Sequence, residues 1–346
     1  MYASIIRVAA LAALVIGQVG PIAAQGLSGP QRDDPAVRAQ AQQLWEQYRA
    51  NAGRAGSKDA LERIMATITS ALPATKENAA AVLALLRSNV SRDEKVLLIR
   101  VAGAQVVELD DRQAKADIQD FLSGLAKGAE DPVLRNAAAL MYSRMGYSSD
   151  SLAVLARAHA KGDIGDNNYF DDLAHLLPDA PTVVDQRNIL KLLADGNNGF
   201  SREVLASLLV NREIIKGLAP AAVTDAMAIL APNEPTFSDD PTRISGVDVI
   251  RYGYWMSAVV GLTAQATGEP ERIVMARLLK IDGVNPKTLI AVLNHEPNAA
   301  LVRAGLDRES LEKMDAAIAG FAEKSKNGWV QELAATARTN LVEPKK

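Results

Sequence analysis

The sequence predicts an all-α protein: an α-solenoid of stacked antiparallel helix pairs followed by a C-terminal helical subdomain. Short segments recur along the chain. Arg100-Val101-Ala102-Gly103-Ala104 returns as Arg135-Asn136-Ala137-Ala138-Ala139, and Ala126-Lys127-Gly128 returns as Ala160-Lys161-Gly162. Gly128, Gly162 and Gly196 stand 34 residues apart, and the apolar positions before each keep one offset. Ile118, Phe121, Leu122 and Leu125 become Leu152, Leu155, Ala156 and His159, then Gln186, Ile189, Leu190 and Leu193. A period near 34 is what stacked helical pairs produce, each too small to bury its own apolar face. Composition agrees: the chain is 48% hydrophobic but only 4% aromatic, with Ala, Leu, Val and Ile carrying the apolar content. Ala and Leu favour helix, and small side chains let helices approach closely. A β-rich domain would want more β-branched and aromatic residues.

The first 24 residues read as a secretory signal peptide. Arg7 is the only charge before Arg32 and precedes the apolar run from Val8 to Ile16, followed by Pro21 and Ala23-Ala24. A charged start, a short apolar core and small residues at a cleavage site make that pattern. Gln18 and Pro21 break the run well short of the roughly 20 residues a membrane span needs. Residues 25–56 are a Gly-, Ser- and Asp-containing lead-in and a first helix from Pro35, with Leu44, Trp45 and Tyr48 on one face.

The repeat array is expected over 57–231. Leu61, Ile64, Met65 and Ile68 form an i, i+3, i+4, i+7 stripe, and Thr75 opens a helix bearing Val82, Leu85 and Leu86. Ser91-Arg92-Asp93-Glu94 has capping-box spacing, and Asp131-Pro132 sets an N-cap before a proline at the first helical position. Gly146 and Gly162 sit where left-handed C-caps belong. Asp163, Asp166, Asn167, Asn168, Asp171 and Asp172 fall in what reads as an inter-helix loop. Residues 232–246, with three prolines, read as a linker loop. The C-terminal helical region spans 247–341. It opens on the most apolar helix, where Gly253, Ser257 and Gly261 make a small-residue ridge that another helix could approach closely. Short helices follow from Pro286, Pro297 and Asp307, then a last helix from Trp329 to about Leu341, and residues 342–346 are a tail.

Asp131-Pro132-Val133-Leu134-Arg135-Asn136-Ala137-Ala138 resembles the opening of a HEAT-type repeat. The 34-residue spacing, with Tyr142, Gly146, Leu155 and Ala158 at hairpin positions, is similar to tetratricopeptide repeats. The resemblance covers about residues 57–231 as a helical-repeat class. It implies the binding of a partner protein or peptide.

Net charge is −3, with no basic stripe of the kind nucleic-acid binders carry. Cys is absent, which removes disulfides and thiol-based metal or redox sites and leaves the chain indifferent to an oxidising compartment. His159, one of three histidines, occupies a stripe position that is Leu in the neighbouring repeats and reads as a packed side chain. The acidic run at 163–172 lacks EF-hand spacing, and no nucleotide, hydrolase or zincin motif is present. Glu309-Ser310 matches two letters of the soluble lytic transglycosylase site, but the downstream motif of those enzymes is missing. No cofactor, metal or catalytic residue is therefore assigned.

The candidate binding residues are Arg251, Tyr252, Tyr254 and Trp255, the one concentration of aromatics with Arg, together with Asp239 and Asp240 in the adjoining loop. Aromatics at helical spacing equally serve cores. The function expected is a non-enzymatic scaffold, periplasmic or secreted, binding another protein or peptide of the envelope, with no nucleic acid and no transmembrane span in the mature chain. The alternative is an envelope glycan-cleaving enzyme whose carboxylates come from separate helices. Export should remove residues 1–24 and leave Gln25 at the N-terminus. Intact-mass measurement on protein from the producing cell checks this, and a mass that retains Met1 counts against it.

Overall fold

The computed structural model describes residues 34–342 apart from 55–56, 196–198, 239, 241–242 and 280–283. The signal-peptide reading, Gly196, Asp239 and most of the 342–346 tail lie outside the described residues. Those residues form eighteen helices and no strand. The chain divides into two compact units, with the division between Tyr169 and Phe170.

The first unit contains α1 (Pro35–Asn51), α2 (Lys58–Ala71), α3 (Lys76–Arg87), α4 (Arg92–Glu108), α5 (Arg112–Gly128), α6 (Pro132–Ser143) and α7 (Ser149–Ala160). Each helix packs on its immediate neighbour or the next but one. Thus α2, α4 and α6 form one layer, and α3, α5 and α7 the other. This nearest-neighbour pattern is solenoid-like. The twelve stripe positions all avoid full exposure, and Ile118, Leu122, Leu155 and Ile189 are completely buried.

Local chemistry sets the helix ends. Ser91 and Glu94 form the expected capping box on α4. The Glu94 carboxylate accepts from Ser91 N at 2.9 Å, Ser91 Oγ at 2.8 Å, Gly53 N at 2.9 Å and Tyr48 Oη at 3.3 Å. Burial pushes this carboxyl up, but the bonds from Gly53, Ser91 and Tyr48 outweigh it and hold it below the usual range. One side chain thereby caps α4 and ties it to the end of α1.

Two sequence expectations differ from the structure. The glycines that mark the period are not equivalent: Gly162 has a left-handed φ of 73° beyond α7, whereas Gly128 ends α5 without one, because Ala129 continues the chain in extended conformation. The acidic run is also not a loop from end to end. Asp166 starts α8 (Asp166–His175), where Tyr169, Phe170, Leu173 and Ala174 make a buried face that favours helix. Asp163 before it is engaged by Arg135 in a bidentate pair at 2.9 and 2.8 Å.

The second unit contains α9 (Val183–Asp195), α10 (Gly199–Leu208), α11 (Arg212–Gly217), α12 (Pro220–Leu230), α13 (Gly246–Thr267), α14 (Glu271–Leu279), α15 (Pro286–Leu293), α16 (Glu296–Gly305), α17 (Arg308–Lys324) and α18 (Gly328–Val342). Helix α13 is its axis, packing against α10, α11, α12, α14, α15 and α16. The small-residue ridge is what admits them. A Cβ on Gly253 would meet His295 Cβ at 3.1 Å and the Ala291 carbonyl at 3.3 Å, and one on Gly261 would meet Ile215 Cδ1 at 2.7 Å. Segment 232–246 runs inside this unit, since α12 before it and α13 after it pack together.

Elsewhere a single glycine decides a contact. A Cβ on Gly305 at the end of α16 would fall deep inside van der Waals contact with the Arg272 carbonyl oxygen of α14. Gly320 in α17 has nothing within 4 Å of that position. Gly305→Ala should therefore lower stability by about 1–3 kcal/mol through overpacking against backbone that cannot swing aside. Gly320→Ala should raise it by roughly 0.5–1 kcal/mol through helix propensity. Thermal melts followed by circular dichroism check both signs, and a Gly305→Ala variant as stable as wild type would contradict the tight α14–α16 approach.

Candidate functional site

The loop between α12 and α13 is where the second unit builds its recesses, and the start of α13 anchors it. Trp255 donates its indole N–H to the Leu230 carbonyl at 2.9 Å, satisfying one of the orphan acceptors at the end of α12. Asn233 donates to the Ile229 carbonyl at 2.7 Å and closes another. Tyr252 donates to Glu234 Oε1 at 2.6 Å, and Phe237 stacks on the Tyr252 ring at 5.0 Å. Burial first, then the Glu234 carboxylate, pushes the Tyr252 phenol well above its ordinary range, so it remains a neutral donor.

The far side of the loop is held by a buried lysine. Lys287, 5% exposed, donates to the Ser238 carbonyl at 2.8 Å and also to the Asp240 carbonyl. Asn285 caps α15 by accepting from Lys287 N at 2.9 Å, which places the side chain under the loop. Hydrogen bonds are what make a buried ammonium tolerable, and each to a charged donor is strong. Ile244, 3% exposed, closes the segment before the Ser245–Asp248 capping box of α13.

Three adjoining clefts surround this loop. The first, about 620 Å³, lies between α9 and α12, with Arg202 and Asn233 also in its lining. The second, about 200 Å³, shares Arg202 and Asn233 with the first and is backed by Glu203, Arg251 and Trp255. The third, about 970 Å³, shares Glu234, Pro235 and Thr236 with the second and is floored by Ala316, Ala317 and Gly320 of α17, with Phe237 and Phe321 beside them. The first and third are in the size range of ligand sites.

The structure brings most of the sequence-derived candidates to this region. Tyr252 and Trp255 are buried at 3% and 8% exposure, with their ring centroids 5.3 Å apart and their polar tips committed to Glu234 of the loop and to Leu230 at the end of α12. Arg251 is half-buried and paired with Glu203 of α10 at 2.5 Å. Asp240 gives its carbonyl to Lys287 and its carboxylate to Arg243 at 3.2 Å. Tyr254 turns away from the loop and meets His295 edge-on at 5.6 Å. Asp239 lies outside the described residues.

Sequence reasoning missed Lys287, Glu234, Phe237, Arg187, Lys191 and Arg202. Arg187 and Lys191 stood one helical turn apart beyond the Val183-Val184 pair, a pattern that marks one face of a helix. Nothing local to Lys287 signals that it is buried. Among the described residues no group of His, Asp and Glu converges as a metal site, and no helix is long and apolar enough to cross a membrane. No protein-family model matches the chain, and no curated protein does.

Lys287→Met keeps the volume of the buried side chain and removes its donors. With such bonds contributing about 1.5–3 kcal/mol each, segment 231–245 should open roughly tenfold more often or better. Limited proteolysis should then cut within it correspondingly faster, with the far-UV circular dichroism unchanged. Equal cutting rates would assign the anchoring to Tyr252 and Trp255 alone.

Proposed function

We propose that this protein is a non-enzymatic helical-repeat scaffold of the cell envelope, which holds a peptide or an extended segment of another protein along the clefts of its second unit. The observation that carries the reading is the adjacency of the three clefts. Each shares lining residues with the next, so a strand-like ligand can pass from α9 across the anchored loop to α17. Mixed apolar and hydrogen-bonding walls suit a peptide, whose side chains alternate in character and whose backbone needs partners. Anchoring of Glu234, Ser238 and Asp240 lowers the ordering cost of binding beside them. Export rests on the N-terminal pattern of Arg7, the apolar run and Ala23-Ala24.

One feature favours a second reading. Glu203 and Glu234 line the smallest cleft together, and a pair of carboxylates is what glycan hydrolysis uses. Against it, Glu203 is ion-paired with Arg251 and Glu234 accepts from Tyr252, so both serve as fixed acceptors.

Photo-crosslinkers placed singly at Ala194, Thr236 and Ala317 in intact cells test the proposal. The expected result is one discrete protein adduct common to the three cleft positions and absent from the exposed position Ala335 on α18. Release of glycan fragments by the purified protein, lost in Glu203→Gln or Glu234→Gln, would replace the scaffold with the enzyme.

A further inference from the structure

We infer that the cleft between α9 and α12 selects an acidic peptide segment, two carboxylates flanking an apolar side chain. The inference rests on the peptide-binding reading and names the chemistry of the partner. Helix α9 turns Gln186, Ile189 and Leu193 into the core, where they are nearly inaccessible, and leaves Val183, Val184, Arg187 and Lys191 facing outward along the cleft. Arg202 of α10 also lines the cleft, so three cations face it against a single carboxylate, Asp225. Arg187 donates its Nε to Asp225 at 2.7 Å, and its side chain nonetheless remains 55% exposed. That pairing steadies the guanidinium at the rim while its other nitrogens keep donor capacity for an incoming carboxylate.

The excess of positive charge stands out against the whole. The chain carries a net charge of −3, yet the cleft between α9 and α12 is lined by Arg187, Lys191 and Arg202 with one carboxylate, Asp225. Such segregation steers an anionic partner and sets its register. The apolar part of the partner follows from Val183 and Val184, 43% and 66% exposed at the cleft mouth, with Ile229 and Ala228 opposite. Singly scattered valines on a surface mean nothing, but here they adjoin the cations in one recess.

A nucleic acid or a sulfated glycan fits the same residues less well. Polyanions bind by neutralising a row of closely spaced charges, and single strands add stacking on aromatic side chains. This cleft has three cations within it and no aromatic side chain among its described lining. Against Asp225 the excess is two, and two carboxylates match it.

The test uses the whole chain and dye-labelled hexapeptides read by fluorescence anisotropy. The probe has two glutamates around a central leucine; its comparators replace both glutamates by glutamine or by lysine. The acidic peptide should bind more than about tenfold tighter than the glutamine version, with affinity falling as salt is raised. Lys191→Glu should weaken it about tenfold, and Lys191→Gln less. Val184→Ser should weaken it without altering the salt slope. Lys326→Glu, outside all three clefts, should leave it unchanged. Lys191, Val184 and Lys326 are exposed, and circular dichroism verifies that each variant folds.

Equal binding of neutral or basic peptides, or indifference to Lys191→Glu, would overturn the acidic selectivity while leaving peptide binding in place. Failure of every peptide would remove the peptide-binding reading itself. Displacement of the acidic peptide by heparin or by a single-stranded oligonucleotide at comparable concentration would make the cleft a general polyanion surface and end the proposal. A dimer in sedimentation that Lys191→Glu dissolves would make the occupant a second copy of this chain, with the same consequence.

Discussion

The second unit depends on how closely neighbouring helices can approach α13. Gly253, Ser257 and Gly261 lie at successive turns, and each is used. Gly253 lets Ala291 and His295 come within contact of the helix backbone, and Asn298, fully buried, donates to the Gly253 carbonyl at 2.9 Å. Ser257, also fully buried, accepts from Arg212 at 3.3 Å, while Arg212 itself is paired with Glu271 at 2.7 Å. Gly261 leaves room for Ile215 and for the same guanidinium. With larger residues at these three positions, α11, α15 and α16 would stand off by a side chain's thickness, and the buried polar groups of Arg212 and Asn298 would lose their partners. The approach also desolvates His295, and burial, assisted by the nearby Arg212 charge, holds its imidazole below the ordinary range and hence neutral.

The clefts are a consequence of that arrangement. Once α13 lies at the centre, its first two turns face the end of α12, and Tyr252 and Trp255 bring hydrogen-bonding tips to a chain that must leave one helix and enter the next. Tyr252 then holds the loop by the Glu234 carboxylate, Trp255 holds the last carbonyl of α12, and Lys287 supplies a partner for the loop backbone at Ser238. The described residues Glu234, Ser238 and Asp240 are thus each held beside the recesses. Core and site are therefore not alternatives for the aromatic cluster. Its rings are buried, and its polar atoms decide where the lining of the clefts lies.

The first unit is built differently. No helix in it gathers six neighbours; the layers of α2, α4, α6 and of α3, α5, α7 propagate contact from one helix to the next. Stability in such an array comes from repeated interfaces, and caps matter because every turn is short. Glu94 is the clearest case, closing its own helix and the end of α1 with one carboxylate. Arg135 performs a similar service by reaching the carbonyls of Ala129 and Glu130 as well as Asp163.

What the sequence by itself determined is local and periodic. The 3.6-residue recurrence of apolar side chains identified the helices, Ser91 with Glu94 and Asp131 with Pro132 marked two of their starts, and the glycine ridge announced a buried helix open to close neighbours. These are properties of a few residues acting on adjacent backbone, so they survive without knowledge of the fold. Only tertiary structure decided which helices meet. The equivalence of Gly128 and Gly162 failed because the conformation after a helix depends on where the next helix must begin. The acidic residues at 166–172 became helical because Tyr169, Phe170, Leu173 and Ala174 found a surface to cover. Lys287 became an internal donor, and Arg187, Lys191 and Arg202 became one basic wall, through contacts between residues far apart in the chain. Burial and charge clustering belong to assembled surfaces, and no window of sequence contains them.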